Sequence, residues 1–397
     1  MQKMRMSFPE LLSFYQHHLL EDIMPFWLEN AMDWEYGGIF TGIEDDGSVN
    51  TTNKFVWSNA RAIYTFAALY NHIEKDRKWL DAAANIFEFC LKFGREKPGV
   101  WGFLVDRQGK MIEGEKAIQV DAFAILGLTE YARATGDRRA VEAALETYES
   151  VKDRLSRPGS YGTHPYPIPE GVKAHRDYFQ FALAFFELGS YLKRQDILEE
   201  SLKKADDVMD NFRRPEIQAL LEYVSTDNRV MDTPAGRAMV PGHAIESMWF
   251  MIHIYRYFER QDRIAQAVET MRWGLEKGWD HEYGGIFLGI DIQGKAPPYW
   301  KNADTKIWWV FSEALYGLLL AYEHAEHPWC LDWYWKVHDW TFDHFPDREH
   351  GEWTQKLDRR GEKIDRLIAL PVKDPFHLPR ALILCIDVLK RLKEKNS

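Results

Sequence analysis

Glu35-Tyr-Gly-Gly-Ile-Phe-Thr-Gly-Ile43 and Glu282-Tyr-Gly-Gly-Ile-Phe-Leu-Gly-Ile290 differ at a single position. The correspondence continues beyond them. Gly47 and Gly294 follow at equal offsets, and each copy leads into a similar helix opening, Lys54-Phe-Val-Trp57 and Lys306-Ile-Trp-Trp309. A looser third copy, Asp347-Arg-Glu-His-Gly-Glu-Trp353, follows another helical stretch. An internal repeat of this kind marks supersecondary units that cannot bury their apolar faces alone and must stack or close on one another.

Outward from the repeat, apolar residues recur at three- and four-residue spacing. They predict helices over roughly 8–30, 55–74, 77–94, 117–135, 138–155, 174–193, 196–212, 242–259, 263–277, 305–325, 329–344 and 376–394. Turn signals such as Gly136-Asp137, Arg157-Pro158-Gly159, Pro241-Gly242 and Phe345-Pro346 separate them. Short connections join the helices in pairs, and longer segments rich in Gly, Trp and Tyr join the pairs. The longer segments read as β-hairpins: Gly38–Ile43 turning at Asp45-Asp-Gly47, Trp101–Val105 turning at Arg107-Gln-Gly109, the Glu282 copy, and Glu352–Leu357 turning at Arg359-Arg-Gly361. Six helical pairs with alternating long and tight loops predict an all-α fold, an (α/α)6 barrel with short β-hairpins in the long loops at one end. No Pro/Gly/Ser-rich or charged linker interrupts the 397 residues, so a single domain over 1–397 is expected, with its site at the long-loop end.

With 46% hydrophobic residues the chain has ample material for a core, and its 16 Trp, 18 Tyr and 23 Phe also suit stacking on sugar faces. The net charge of −11 and the lack of a one-sided Lys/Arg cluster argue against a nucleic acid partner. The N-terminus lacks the apolar run of a secretory signal and no stretch is apolar enough to span a bilayer, so no membrane partner and a cytoplasmic location are expected. Cys90, Cys330 and Cys385 lie far apart within helical patterns, as small core residues do. The histidines are scattered without metal-ligand spacing, and neither a dinucleotide fingerprint, a phosphate loop nor a nucleophile elbow occurs. No metal is expected.

Two helix openings carry candidate acid/base groups. In Val240-Pro-Gly-His243-Ala-Ile-Glu246, a His and a Glu share a helix face near the positive end of the dipole, which is the minimum for an oriented general base, although taken alone the motif reads more readily as a capping-region His bonded to a nearby Glu. In Pro375-Phe-His377-Leu-Pro-Arg380, His377 is suited to moving a proton and Arg380 to holding an oxyanion or a hydroxyl, while helix openings also carry such residues merely as solvated polar groups. Arg61 sits early in an otherwise apolar helix and must pair, snorkel or line a cavity. Its repeat counterpart is Glu313, so a buried Arg61–Glu313 pair is the structural alternative. Asp121 and His175, at further helix openings, are candidate substrate contacts, Asp121 being equally a charge favoured by the helix dipole.

Taken in order, Phe26-Trp before Asp33-x-Glu-Tyr-Gly-Gly-Ile-Phe, Lys54-Phe-Val-Trp57 with Arg61, Pro241-Gly-His-x-Ile-Glu246, Lys306-Ile-Trp-Trp309 with Glu313, Gly351-Glu-Trp353 and Phe376-His-x-Pro-Arg380 resemble the N-acylglucosamine 2-epimerase family over nearly the whole chain. The resemblance implies an (α/α)6 barrel that epimerises or isomerises a small reducing sugar in its open-chain form. It implies His243 and His377 as the two acid/base residues on opposite faces of the sugar's second carbon. Glu246 would orient His243, Arg61 and Arg380 would stabilise developing oxygen charge, and Trp308, Trp309 and Glu313 would line the cleft. The contexts of both histidines resemble the acylglucosamine branch, which implies interconversion of N-acetylglucosamine and N-acetylmannosamine. Trp57-Ser-Asn-Ala-Arg61 and Leu370-Pro-Val-Lys373 depart from that branch. Mannose/glucose or cellobiose 2-epimerisation and mannose–fructose isomerisation therefore stay open. No cofactor is expected. Nucleotide activation, which occurs in some members, has no segment here from which to infer it, and whether the chain forms a homodimer is likewise open. Two readings from other classes are a glycoside hydrolase using Glu246 and Glu313 as paired carboxylates, and a noncatalytic sugar-binding protein.

Overall fold

The computed structural model describes residues 5–364, other than 158, 166 and 297, and residues 373–395. The segment Leu370–Val372 noted above lies outside the described residues. Helices dominate, in chain order α1 (Phe8–His17), α2 (Met24–Asn30), α3 (Val56–Ala68), α4 (Arg77–Phe93), α5 (Gln119–Thr135), α6 (Arg138–Leu155), α7 (Arg176–Leu192), α8 (Gln195–Asn211), α9 (Pro241–Tyr257), α10 (Gln261–Gly278), α11 (Trp308–Ala325), α12 (Pro328–His344) and α13 (His377–Lys395). A π-helical turn, His18–Ile23, links α1 to α2, and another, Leu69–Ile73, ends α3. The predicted spans agree with these bounds to within a few residues.

Two kinds of helix alternate. In α4 the buried residues Trp79, Ala82, Ala83, Ile86, Phe87 and Cys90 form one stripe, as on a helix packed on one side only. In α5 every residue from Gln119 to Ala132 is buried, as on a helix enclosed all round. The enclosed helices α3, α5, α7, α9, α11 and α13 pack each on the next, and α13 returns to α3, closing an inner ring. The striped helices surround it, with α1 against α13. The (α/α)6 barrel is thereby realised, with one hydrophobic cluster running from Leu11 to Leu392. Among the described residues no helix is long and apolar enough to cross a membrane.

The repeat phrase builds the joints of this ring. Asp33 accepts hydrogen bonds from the backbone N–H groups of Glu35 and Tyr36, from Lys54 Nζ at 2.9 Å and from Arg107 Nε at 2.9 Å. Asp280 does the same with Glu282, Tyr283, Lys306 Nζ at 3.2 Å and Arg359 Nε at 3.0 Å. Each Gly-Gly pair turns with positive φ, and a Cβ on Gly38 would meet Asn59 Oδ1 at 2.7 Å. Lys54 and Lys306 are fully buried, and their aspartates compensate that burial. In the third copy Asp347 keeps the turn N–H contacts, but Lys373 reaches Glu352 and Asp45 instead, at 2.9 Å each.

Strand pairing departs from the predicted scheme at one place, the Glu282 copy. Gly42–Ile43 pairs with Val49–Thr51, and Leu104–Val105 with Met111–Glu113, as local hairpins. Leu357 bridges Lys363 across the Arg359-Arg-Gly361 turn and also pairs, with Lys356, to Lys306–Ile307 ahead of α11, whereas Ile290–Asp291 pairs with Ala238–Met239 ahead of α9. A two-residue strand offers few hydrogen bonds, so the edge presented by a neighbouring ring unit competes with its own hairpin.

Candidate active site

All six inner helices direct their N-terminal turns at one cavity of about 860 Å³, within the usual range of small-molecule sites. Trp57 and Arg61 enter it from α3, Phe123 from α5, Gln180 from α7, His243 and Glu246 from α9, Trp308 and Trp309 from α11, and His377 and Arg380 from α13. Six positive dipole ends converge on the same space, an environment that favours negative charge.

His243 and His377 are both backed by carboxylates, and the one behind His243 is not the expected Glu246. The Nδ1 of His243 lies 3.0 and 3.1 Å from the two carboxylate oxygens of Glu222. Glu222 precedes the strand Tyr223–Ser225, with its N–H bonded to Ala238 O and its C=O to the N–H of His175, each at 2.9 Å. Burial opposes charging of His243, but Glu222 outweighs it and raises the imidazole above its ordinary value. Burial likewise works against ionised Glu222, and His243 outweighs it in turn, holding that carboxyl low. Glu246, expected to orient His243, instead accepts from Arg380 at 2.7 Å and stands 3.9 Å from His377 Nδ1. One helical turn separates it from His243, yet its side chain follows the nearest fixed cation.

His377 donates from Nδ1 to Glu313 Oε1 at 2.8 Å. The same oxygen accepts from Arg380 at 2.6 Å, and Glu313 Oε2 accepts from Trp249 Nε1 at 2.8 Å. Burial alone would raise Glu313, but Arg380 and His377 outweigh it and hold the carboxylate well below its ordinary range. Glu313 therefore orients His377 from behind rather than lining the cleft. With Nδ1 of each histidine committed to a carboxylate, Nε2 is the nitrogen each has left for a ligand. The two rings flank a single indole, Trp309, with centroids at 5.3 Å from His243 and 5.7 Å from His377, and Trp308 lies 6.3 Å from His377.

Arg61 does not meet Glu313. Its guanidinium bonds to Asp374 at 3.1 Å and packs over the Phe123 ring at 3.9 Å, with Trp57 and Phe376 at 5.0 Å each. It remains in the cavity wall. Arg380, expected at an oxyanion, is engaged by Glu246 and Glu313. The predicted contacts of Asp121 and His175 are not made: neither is among the residues lining the cavity. Asp121 is turned outward to the N–H of Trp101 at 3.0 Å and to Arg154 at 2.6 Å, and burial pushes its carboxyl up to about 7. His175 sits behind the site, 4.0 Å from Glu222, and burial lowers its imidazole to about 3, so it is a neutral neighbour.

Glu222 and Asp374 escaped the sequence reading. Glu222 carries only the faint signal of a charge inside the apolar run Leu220-Leu221-Glu222-Tyr223-Val224. Glu246, Glu313 and His377 hold donor atoms within 4.8 Å of one another, spacing that would suit a cation. Arg380 lies among them with its guanidinium on both carboxylates, so a fixed positive charge already fills that role.

Residues 38–381 match the family model described as N-acylglucosamine 2-epimerase (GlcNAc 2-epimerase). The chain is 30% identical to the N-acylglucosamine 2-epimerase of Bos taurus, covering 94% of this chain and 90% of that protein. It is 26% identical to the cellobiose 2-epimerase of Dictyoglomus turgidum, covering 94% and 97%. The structure of the cellobiose 2-epimerase from Spirochaeta thermophila superposes with a TM-score of 0.84 at 23% identity, over 99% of this chain and 100% of that one.

Proposed function

The chain belongs to the N-acylglucosamine 2-epimerase family, and from that premise we propose that it interconverts N-acetylglucosamine and N-acetylmannosamine by proton transfer at the second carbon between His243 and His377. It is a carbohydrate epimerase, an isomerase. The observation that carries the mechanism is the pair of imidazoles flanking Trp309, each held by a buried carboxylate through Nδ1 and each left with Nε2 for the sugar.

In this reading the open-chain sugar lies across Trp309 with its second carbon between the histidines. One imidazole removes the proton, giving an enediol-like intermediate, and the other, as imidazolium, returns a proton to the opposite face. The charge developing on the first oxygen is met by the converging helix N-termini and by Arg61, whose pairing with Asp374 and aromatic packing fix its place. Arg380 acts at one remove, by pairing with both Glu246 and Glu313. We place the reaction in the cytoplasm and without a metal. The hydrolase alternative needs two carboxylates on either side of a glycosidic bond, but Glu246 and Glu313 both bond to the same nitrogen of Arg380.

In heavy water the product is expected to carry deuterium at the second carbon, because the acidic imidazole exchanges with solvent before donating. Mass spectrometry of the product checks this, and product free of deuterium would sink the two-base route. For the sugar itself, catalytic efficiency on N-acetylmannosamine is expected to exceed that on mannose or cellobiose by about a hundredfold or more, since a site that hydrogen-bonds an amide leaves its own polar groups unpaired when the amide is missing. A preference for mannose would overturn the acylglucosamine assignment and leave the histidine roles standing.

A further inference from the structure

The two histidines are supported by carboxylates of unlike electrical standing. Glu222 turns both of its oxygens to His243, and its only other ion-pair contact among the described residues is His175 at 4.0 Å, which is neutral. Glu313 shares one oxygen between His377 and the permanent cation Arg380, and gives the other to Trp249. His243 thus faces a carboxylate that makes no ion pair with a permanent cation among the described residues, whereas the two carboxylates beside His377, Glu313 and Glu246, both pair with Arg380.

We propose that Glu222 is a positioning residue that keeps the working proton on His243 in the resting enzyme, so that His377 enters the cycle as the bare imidazole. The inference rests on the two-histidine reading above. On the His243 side stand Glu222 from the segment before Tyr223–Ser225, Glu246 from the same helix α9, and from α7 the neutral His175 and the permanent cation Arg176, which opposes the charge on His243 without outweighing Glu222. On the His377 side stand Glu313 from α11, Glu246 from α9 and Arg380 from α13, while Arg61 of α3 is taken by Asp374. Coulomb attraction to the Glu222 carboxylate at 3.0 Å in a largely buried setting favours the imidazolium of His243, whereas the carboxylate behind His377, Glu313, is also drawn on by the guanidinium of Arg380 at 2.6 Å. The direction found for His243 agrees.

Such a division of labour has a consequence that a merely structural Glu222 would not have. The alkaline limb of kcat/KM reports loss of the proton from the acid, and Glu222 sets where that limb lies. Glu222→Gln preserves shape and an acceptor for Nδ1–H but removes the charge. The limb is then expected to move to lower pH and kcat at neutral pH to fall by about tenfold to a hundredfold, with KM changed little. The limb must move equally in both directions, because the ratio of forward to reverse kcat/KM is fixed by the equilibrium between two non-ionising sugars. Glu222→Asp is expected to return the limb most of the way. An activity loss in Glu222→Gln with the limb unmoved would overturn the proposal.

The resting state is read independently in the wild-type protein labelled with nitrogen-15 histidine. At neutral pH the signal that disappears in His243→Asn is expected to be an imidazolium, and the one that disappears in His377→Asn a neutral ring protonated at Nδ1. The opposite pattern, or two neutral rings, would refute the assignment even if Glu222→Gln failed to fold. Wild-type product without deuterium would defeat the two-base reading itself, whereas deuterated product with an unmoved limb would defeat only the role given to Glu222.

Discussion

His243→Asn and His377→Asn are each expected to lower kcat by about a thousandfold or more while leaving the far-ultraviolet spectrum and the unfolding transition close to wild type. General acid/base groups contribute roughly two to four orders of magnitude, and in a two-base epimerisation no residue on the same face substitutes for the lost one. Neither side chain holds the ring together. Both lie at the cavity, and their Nδ1 contacts are to carboxylates that Asn can still reach through its amide or that keep other partners, as Glu313 keeps Arg380 and Trp249. The variants diverge in isotope exchange. Each is expected to exchange the second-carbon proton of one sugar epimer only, the one whose hydrogen faces the surviving histidine. Near-normal turnover in either variant would remove that histidine from the mechanism, and exchange of both epimers by one variant would replace two bases with one mobile base.

Arg380→Leu is expected to destabilise the fold by about 3–5 kcal/mol at neutral pH, the usual result of removing one partner from a buried ionic cluster. Arg380 is buried and bonds Glu246 at 2.7 Å and Glu313 at 2.6 Å, so its loss leaves two carboxylates in the barrel interior without the permanent cation they share. The sign of the pH dependence follows from Glu313. Its depressed value in the folded wild type contributes stability above the ordinary carboxylate range, which is lost as pH falls through the folded value. Without Arg380 the same carboxylate resists ionisation, so the deficit is widest near neutrality and narrows as pH falls through the ordinary carboxylate range. Denaturant unfolding at several pH values measures this. A deficit below about 1 kcal/mol at neutral pH would mean that the cluster is hydrated or rearranges, contrary to its burial.

Local information in the chain was enough for the architecture. The helical spans follow from apolar periodicity, a property of neighbours three and four residues apart, and the near-identical Glu35 and Glu282 phrases follow from a common need for a Gly-Gly turn beside a buried lysine. His243 and His377 were legible through the family resemblance of their Pro-Gly-His and Phe-His-x-Pro-Arg settings, since each motif alone reads as a helix opening with a polar residue. What the tertiary structure decided is which charge meets which. Glu222 reaches His243 across 21 residues, Glu313 reaches His377 across 64, and Asp374 reaches Arg61 across 313. Sequence spacing favoured Glu246 for His243, because a residue three positions on shares its helix face, but closure of the ring brings Arg380 to Glu246 and Glu222 to His243. A buried charge takes the partner that ring closure places beside it, and that choice depends on contacts between distant segments that no local pattern encodes.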